Sequence, residues 1–231
     1  MERTLHLLSG GAAQGLLTRL QPAFEAKHGC RIAGTYGAVG LMKDKLLAGA
    51  PCDLLILSHA LIADLVAQER AEGATAAPVG VVKTGVALKA GAAPAALRTE
   101  GDLRALLQAA PAIYFPDPAK ATAGIHFMKV LHALGLAGED GKLRTFPNGA
   151  TAMAALAQAA EPGAVGCTQV TEILFTPGVQ LAGLLPPPHE LATTYTAAVA
   201  AGAQEAALAR ELVAALTAAQ AAGVRRDCGF E

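Results

Sequence analysis

Apolar residues in this chain alternate between short continuous runs and longer stretches in which they recur every three or four positions. Residues 5–8 form a short apolar run, and residues 15–28 put Leu16, Leu17, Leu20 and Phe24 on one face of a helix. A second strand is expected at 31–36, then a short helix at 41–48 that stops at Gly49, a residue suited to a helix C-terminus. The run "CDLLILS" at 52–58 is apolar without alternation, as in a strand covered on both faces of a parallel sheet. A helix at 61–68 follows. This βαβαβα order predicts a doubly wound sheet with right-handed crossovers.

A second α/β series follows the first. "PVGVVKTGVALKAG" (78–91) is β-rich and able to carry the chain from one domain to another. Helices are expected at 101–108, 122–135 and 150–160, and strands at 112–115, 143–146, 163–169 and 179–186. Pro186, Pro187 and Pro188 lead into "LATTYTAAVAAG" (191–202), and a final amphipathic helix is expected over 205–221.

Composition narrows the function. The 231 residues are 53% hydrophobic, ample for a core, and the net charge of −1 offers no basic field for nucleic acid or an acidic membrane. Aromatic content is 4% with no Trp, which leaves few platforms for stacking bases. Cys30, Cys52, Cys167 and Cys228 are far apart and form no CxxC, so neither a metal site nor a disulfide framework is expected. No apolar stretch reaches the ~18 residues of a membrane span. The first strand begins directly after Met1-Glu2-Arg3-Thr4, which leaves no room for a secretory leader and predicts a cytoplasmic protein. A chain whose leader had been removed would read the same and would be periplasmic.

The turns after strands are the candidate chemistry. "SGG" at Ser9, Gly10 and Gly11, "TYGAVG" at 35–40, "DPAKATAG" at 117–124 and "FPNGATA" at 146–152 each clear side chains from the place where a helix begins. Such a turn exposes backbone N–H groups at the positive end of a helix dipole and suits an anion, although it also serves as a tight turn with nothing bound. Ser9, Thr35, Tyr36, Lys120 and Thr122 add polar groups. No P-loop and no GxGxxG fingerprint is present, so no nucleotide cofactor is expected. Asp53, at the amino end of its strand, reads as structural, His6 as a packed core histidine, and His28, His132 and His189 as exposed. His59 follows the buried strand and has either a ligand-facing or a capping role.

Six stretches in order resemble the periplasmic molybdate-binding protein family: "LLSGGAAQGLLTRLQPAFEAKHGCRI", "TYGAVGLMKDKLLAGAPCDLLILS", "VGVVKTGVALKAG", "FPDPAKATAGIHFMKVLHALG", "MAALAQAAEPGAVGCTQVTEIL" and the ending "LARELVAALTAAQAAGVRRDCGFE". The resemblance implies a two-lobed type II periplasmic-binding-protein fold, with a discontinuous first lobe of residues 1–79 plus 195–231 and a second of residues 80–194. It also implies a ligand cleft between the lobes. The contacts would come from Ser9, Gly10 and Gly11, from Gly37, Ala38 and Val39, from Thr122, Ala123 and Gly124, and from Cys167, Thr168 and Gln169; the turns' own polar groups add Thr35 and Lys120 to this set.

The departures from that family shift the expected ligand. Molybdate receptors resemble one another in placing hydroxyls in the first two turns. Here the second turn has no serine, and Lys120 and His126 stand by the third. A cation beside N–H-rich turns suits a small organic polycarboxylate. The resemblance extends to enzymes, aconitate isomerase among them, which implies proton transfer on an unsaturated acid with Tyr36 or His126 as the proton carrier. Two other expectations stand beside it: an oxyanion receptor serving an ABC permease, and a cytosolic ligand sensor.

Overall fold

The computed structural model describes residues 3–138 and 141–231. The chain divides into two compact units, Met1–Val82 with Thr193–Glu231, and Lys83–Ala192. It passes between them within two strands, β4 (Ala77–Lys89) and β9 (Ala192–Val199).

In unit 1, β1 (Arg3–Gly10) lies parallel to β2 (Cys30–Gly37) and to β3 (Leu54–Ser58), and β9 closes the set antiparallel to β3. Each parallel strand hands over to a helix: β1, through a single 3₁₀ turn at Gly11–Ala13, to α1 (Gln14–His28), β2 to α2 (Val39–Leu47), and β3 to α3 (His59–Ala67). Leu5, Leu7, Leu54 and Ile56 pack with Leu16 and Leu17 of α1 and with Leu208, Leu212 and Leu216 of α8 (Ala206–Thr217) in one core. The expected final helix is broken. Backbone at Ala218 is extended (φ −56°, ψ 148°), and a 3₁₀ turn and α9 (Ala222–Asp227) follow. Among the described residues no single helix is long and apolar enough to cross a membrane.

In unit 2, β5 (Ile113–Pro116) pairs in parallel with β6 (Leu143–Phe146) and β7 (Val165–Gln169), while β4 runs antiparallel to β7 and to β8 (Val179–Leu184). The three strands of the βαβαβα series are parallel, as their order implies, and the pairing in each unit becomes mixed where β9 and β4 join. Local pattern cannot see this, because strand direction is set by where β4 and β9 insert. One face of the unit 2 sheet buries Val86, Leu88, Val165 and Cys167 against α4 (Glu100–Ala109) and α5 (Thr122–Ala133). On the other face α6 (Gly149–Ala157) supplies Ala152, Met153 and Leu156, packed with Ala87 and Tyr114. A short helix absent from the sequence expectation, α7 (Val170–Phe175), follows β7 directly.

Candidate anion site

The parallel strands of unit 1 end level with one another. Ser9 pairs with Tyr36 and Ile56, and Gly10 with Gly37, so the starts of α1, α2 and α3 gather at one end of the sheet. Gly10 is required there, since a Cβ on it would come within 2.8 Å of Val39 Cγ1 and 3.0 Å of Tyr195 Cε1. Neither the 3₁₀ turn before α1 nor α2 has a side-chain cap; the α2 N-cap is Ala38. The first N–H groups of a helix have no partner within it, so these starts present bare donors. Ser9, Gly10, Gly11, Ala38 and Val39 are buried around them. The Ser9 hydroxyl donates to the Gly10 carbonyl at 2.9 Å and is committed inside the turn. Thr35 is exposed. Tyr36 folds back over its own strand, with its hydroxyl lying where a Gly34 Cβ would be, and burial pushes its phenol above the usual range. His59 is exposed and lies 3.3 Å from the Thr196 hydroxyl.

In unit 2 the turn before α5 is built by Asp117, whose Oδ1 accepts from the N–H groups of Ala119 (2.6 Å) and Lys120 (3.1 Å). The N-cap of α5 is Ala121, again with no side-chain cap. Gly124 lets the first turn of α5 lie directly on the end of β5, where a Cβ would overlap the carbonyl oxygens of Pro116 and Asp117. Thr122 is half-buried, Ala123 and Gly124 are buried, and Lys120 is exposed. His126, one turn further on, donates a ring N–H to the His189 carbonyl at 2.8 Å. His189 itself is buried, with its ring 2.9 Å from Glu100 Oε2, against the expectation of an exposed histidine. The carbonyl of His189 thus holds the His126 ring, and Glu100 of α4 holds the His189 ring.

The fourth turn, read as another candidate N–H donor, is already filled. Asn148 caps α6 by accepting from the Thr151 N–H at 2.9 Å. Glu172 of α7 is buried, and its carboxylate accepts from the Thr168 hydroxyl at 2.6 Å and from the backbone N–H groups of Ala150, Gln169 and Gly149. Burial pushes the Glu172 carboxyl above its ordinary range, against those hydrogen bonds, which pull it down. Gly149 makes room, because a Cβ there would overlap Glu172 Oε2 and Thr168 Oγ1. Cys167, Thr168 and Gln169 are all buried, and burial drives the Cys167 thiol well up. The sequence reading missed Glu172; its one signal was the i, i+4 spacing from Thr168 within an apolar segment.

Asp53, read as structural, is buried at the opposite end of the unit 1 strands. Its Oδ2 accepts from His6 N at 2.8 Å and its Oδ1 from Glu205 N at 3.0 Å. His6 is half-buried at that end, not a core residue. Among the described residues no three His, Cys, Asp or Glu side chains converge as metal ligands.

Strands that end together under uncapped helix starts, in two α/β units joined by two crossing strands, define a solute-binding architecture. Residues 5–231 match the family model of bacterial extracellular solute-binding proteins, and the chain belongs to that family. Its fold is the two-lobed periplasmic-binding-protein fold. Among solved structures it is similar to the periplasmic molybdate-binding protein of Azotobacter vinelandii, at 19% identity with a TM-score of 0.79, covering 98% of each chain. It is also similar to the sulfate-binding protein SubI of Mycobacterium tuberculosis, at 20% identity with a TM-score of 0.74, over 99% of this chain and 86% of that one. Among curated proteins it is 23% identical to an aconitate isomerase of Pseudomonas sp. over 99% of this chain and 87% of the relative.

Proposed function

We propose that the protein binds a small organic polycarboxylate anion through backbone N–H groups and moves a proton within the bound acid. The observation that carries the binding is a set of three uncapped starts cleared by nearby glycines. The starts of α3, α7, α8 and α9 also lack a side-chain cap, so the glycines are what mark these three. The helices α4 and α6 are capped by Thr99 and Asn148, whereas the 3₁₀ turn before α1, α2 and α5 start at Gly10, Ala38 and Ala121 with no side chain on their N–H groups. Uncapped starts cleared by glycine are where an external anion replaces the missing cap. Ser9 has its hydroxyl turned inward and the second turn has no serine, so hydroxyl donors of the kind expected around molybdate are few. Lys120 adds positive charge near the α5 start.

The proton transfer draws on the aconitate isomerase relative. Tyr36 or His126 is the proton carrier in this reading. Backbone donors would stabilise the negative charge that spreads onto a carboxylate as the proton leaves carbon. Incubation with cis- and trans-aconitate in deuterated water, followed by proton NMR, tests it. Interconversion, or deuterium entering the allylic methylene, supports isomerisation; binding without exchange leaves a ligand sensor. The likeness to molybdate- and sulfate-binding structures favours a second reading, an oxyanion receptor for an ABC transporter. Greater thermal stabilisation by molybdate than by any organic acid would establish it in place of the first.

A further inference from the structure

Among the described residues three buried polar side chains of unit 2 lack partners, Thr84, Gln169 and Thr171, and the first two are neighbours. Thr84 on β4 stands opposite Gln169 at the end of β7. The Thr84 N–H donates to Leu191 O at 3.0 Å, and its carbonyl accepts from Leu185 N at 3.2 Å. Both main-chain groups thus turn away from β7, which makes this a non-hydrogen-bonded pair, the kind whose facing side chains come closest. Among the described residues neither the Thr84 hydroxyl nor either end of the Gln169 carboxamide has a hydrogen-bond partner, although the residues are only 1% and 2% exposed. Both amide atoms are unpaired, so the observation does not depend on which way round the amide is placed. Protein interiors rarely leave such groups unmatched, and two side by side point to a missing partner.

The pair has a definite place. Val86 opposite Cys167 and Leu88 opposite Val165 continue the same row, and those four pack with Phe127, Val130 and Leu131 of α5. Strand alternation puts Thr84 and Gln169 on that α5 face, at the strand end where α5 starts uncapped. Glu172 holds the backbone N–H of Gln169 and so fixes the carboxamide at this end. Thr84 also lines a cavity of about 250 Å³ with Lys83, Leu97, Leu185, Pro187 and Leu191, whereas Gln169 lies outside that lining.

Thr84 Oγ1–H and Gln169 Nε2–H donate, while Gln169 Oε1 accepts. A carboxylate can only accept and would leave Oε1 facing negative charge. A protonated carboxyl offers both a carbonyl and an O–H, matching that set of donors and acceptor, and the apolar row of Val86 and Cys167 beside the pair favours the uncharged form. We propose that Thr84 and Gln169 bind one carboxyl of the ligand in its protonated form, so that binding takes up a proton from solvent. The proton forms the O–H bond of the carboxyl, and no electrons change hands. The proposal rests on the polycarboxylate reading and gives it a chemical purpose, since a neutral carboxyl makes the adjacent carbon a stronger acid than a carboxylate does. Competing destinations for a proton on the surrounding elements are the carboxylates of Glu172 and Glu190 and the imidazoles of His126 and His189, and the cationic groups nearby are Lys83, Lys120 and Lys129.

Calorimetric titration of cis-aconitate and tricarballylate near neutral pH, in two buffers of different ionisation enthalpy, counts the protons taken up. The wild type is expected to take up close to one proton per ligand. Gln169→Leu and Thr84→Val are expected to bind more weakly and with most of that uptake lost. Thr84→Val exchanges a hydroxyl for a methyl of the same shape, which protects the test should Gln169→Leu fail to fold. Binding by the wild type without uptake would overturn the proposal while leaving the polycarboxylate reading intact. Uptake unchanged in both variants would also overturn it, because the proton then goes to a group of the protein. If neither acid binds the wild type, both readings fall together.

Discussion

The Thr168 hydroxyl donates to Glu172 Oε2 at 2.6 Å with both side chains buried. Desolvation holds the Glu172 carboxyl above its ordinary value, so the folded protein binds this proton more tightly than the unfolded chain does. The contribution of Glu172 is most favourable below the ordinary carboxylate range. It declines as pH rises through the interval up to the folded-state value and is constant above that. Urea denaturation of wild type and Glu172→Gln across this interval should show the stability difference moving against the wild type as pH rises. A flat difference would mean that Glu172 titrates as an ordinary carboxylate.

Gly149→Ala places a methyl group on the Glu172 carboxylate and the Thr168 hydroxyl at once. The carboxylate must then leave the N–H groups of Gly149, Ala150 and Gln169 while still buried. Losing charged hydrogen bonds without regaining water costs about 3 kcal/mol. The same loss from Glu172→Ala, with little further loss in the double variant, would show by denaturation that one contact is responsible.

Asp53 ties three segments together without taking part in the candidate site. Besides its two carboxylate contacts, its N–H donates to His6 O at 2.7 Å and its carbonyl accepts from Ala200 N at 2.9 Å. Asp53→Ala leaves the His6 and Glu205 N–H groups without their acceptor. The expected loss is about 2–3 kcal/mol of unfolding free energy. Ligand affinity, measured by calorimetry below the melting range, should stay at the wild-type value.

Local pattern exposed much of this fold and less of its site. Leu54, Leu55, Ile56 and Leu57 are all fully buried, as their unbroken run implied, and glycines at 10 and 124 mark places where the backbone is approached closely. What the pattern could not carry is pairing between distant segments. Nothing near Thr84 in sequence announces that Gln169 faces it, and nothing near Asp53 announces the N–H of Glu205. The Glu172 carboxylate meets the start of α6 from more than twenty positions away, so the fourth turn looked as open as the first three. Capping is short-range, yet an alanine at an N-cap is visible only once the helix boundary is known.

The uncapped start of α5 makes a last prediction, in which stability and affinity move in opposite directions. Ala121, the N-cap of α5, has φ −100° and ψ 129°, a conformation that capping residues adopt. Ala121→Asn supplies a neutral oxygen to the bare N–H groups, and Ala121→Asp supplies a charged one. Each should raise the stability of the ligand-free protein by about 1 kcal/mol, with Asp gaining further from the helix dipole. An anion that uses the same N–H groups must displace the new cap, and with Asp it must also approach a like charge. Affinity for an organic polycarboxylate should therefore fall in the order wild type, Asn, Asp, with the Asp variant about tenfold or more weaker for roughly 1.4 kcal/mol of opposition. Thermal denaturation and calorimetry on the three proteins measure both quantities. Higher stability with unchanged affinity would show that the ligand does not use the start of α5.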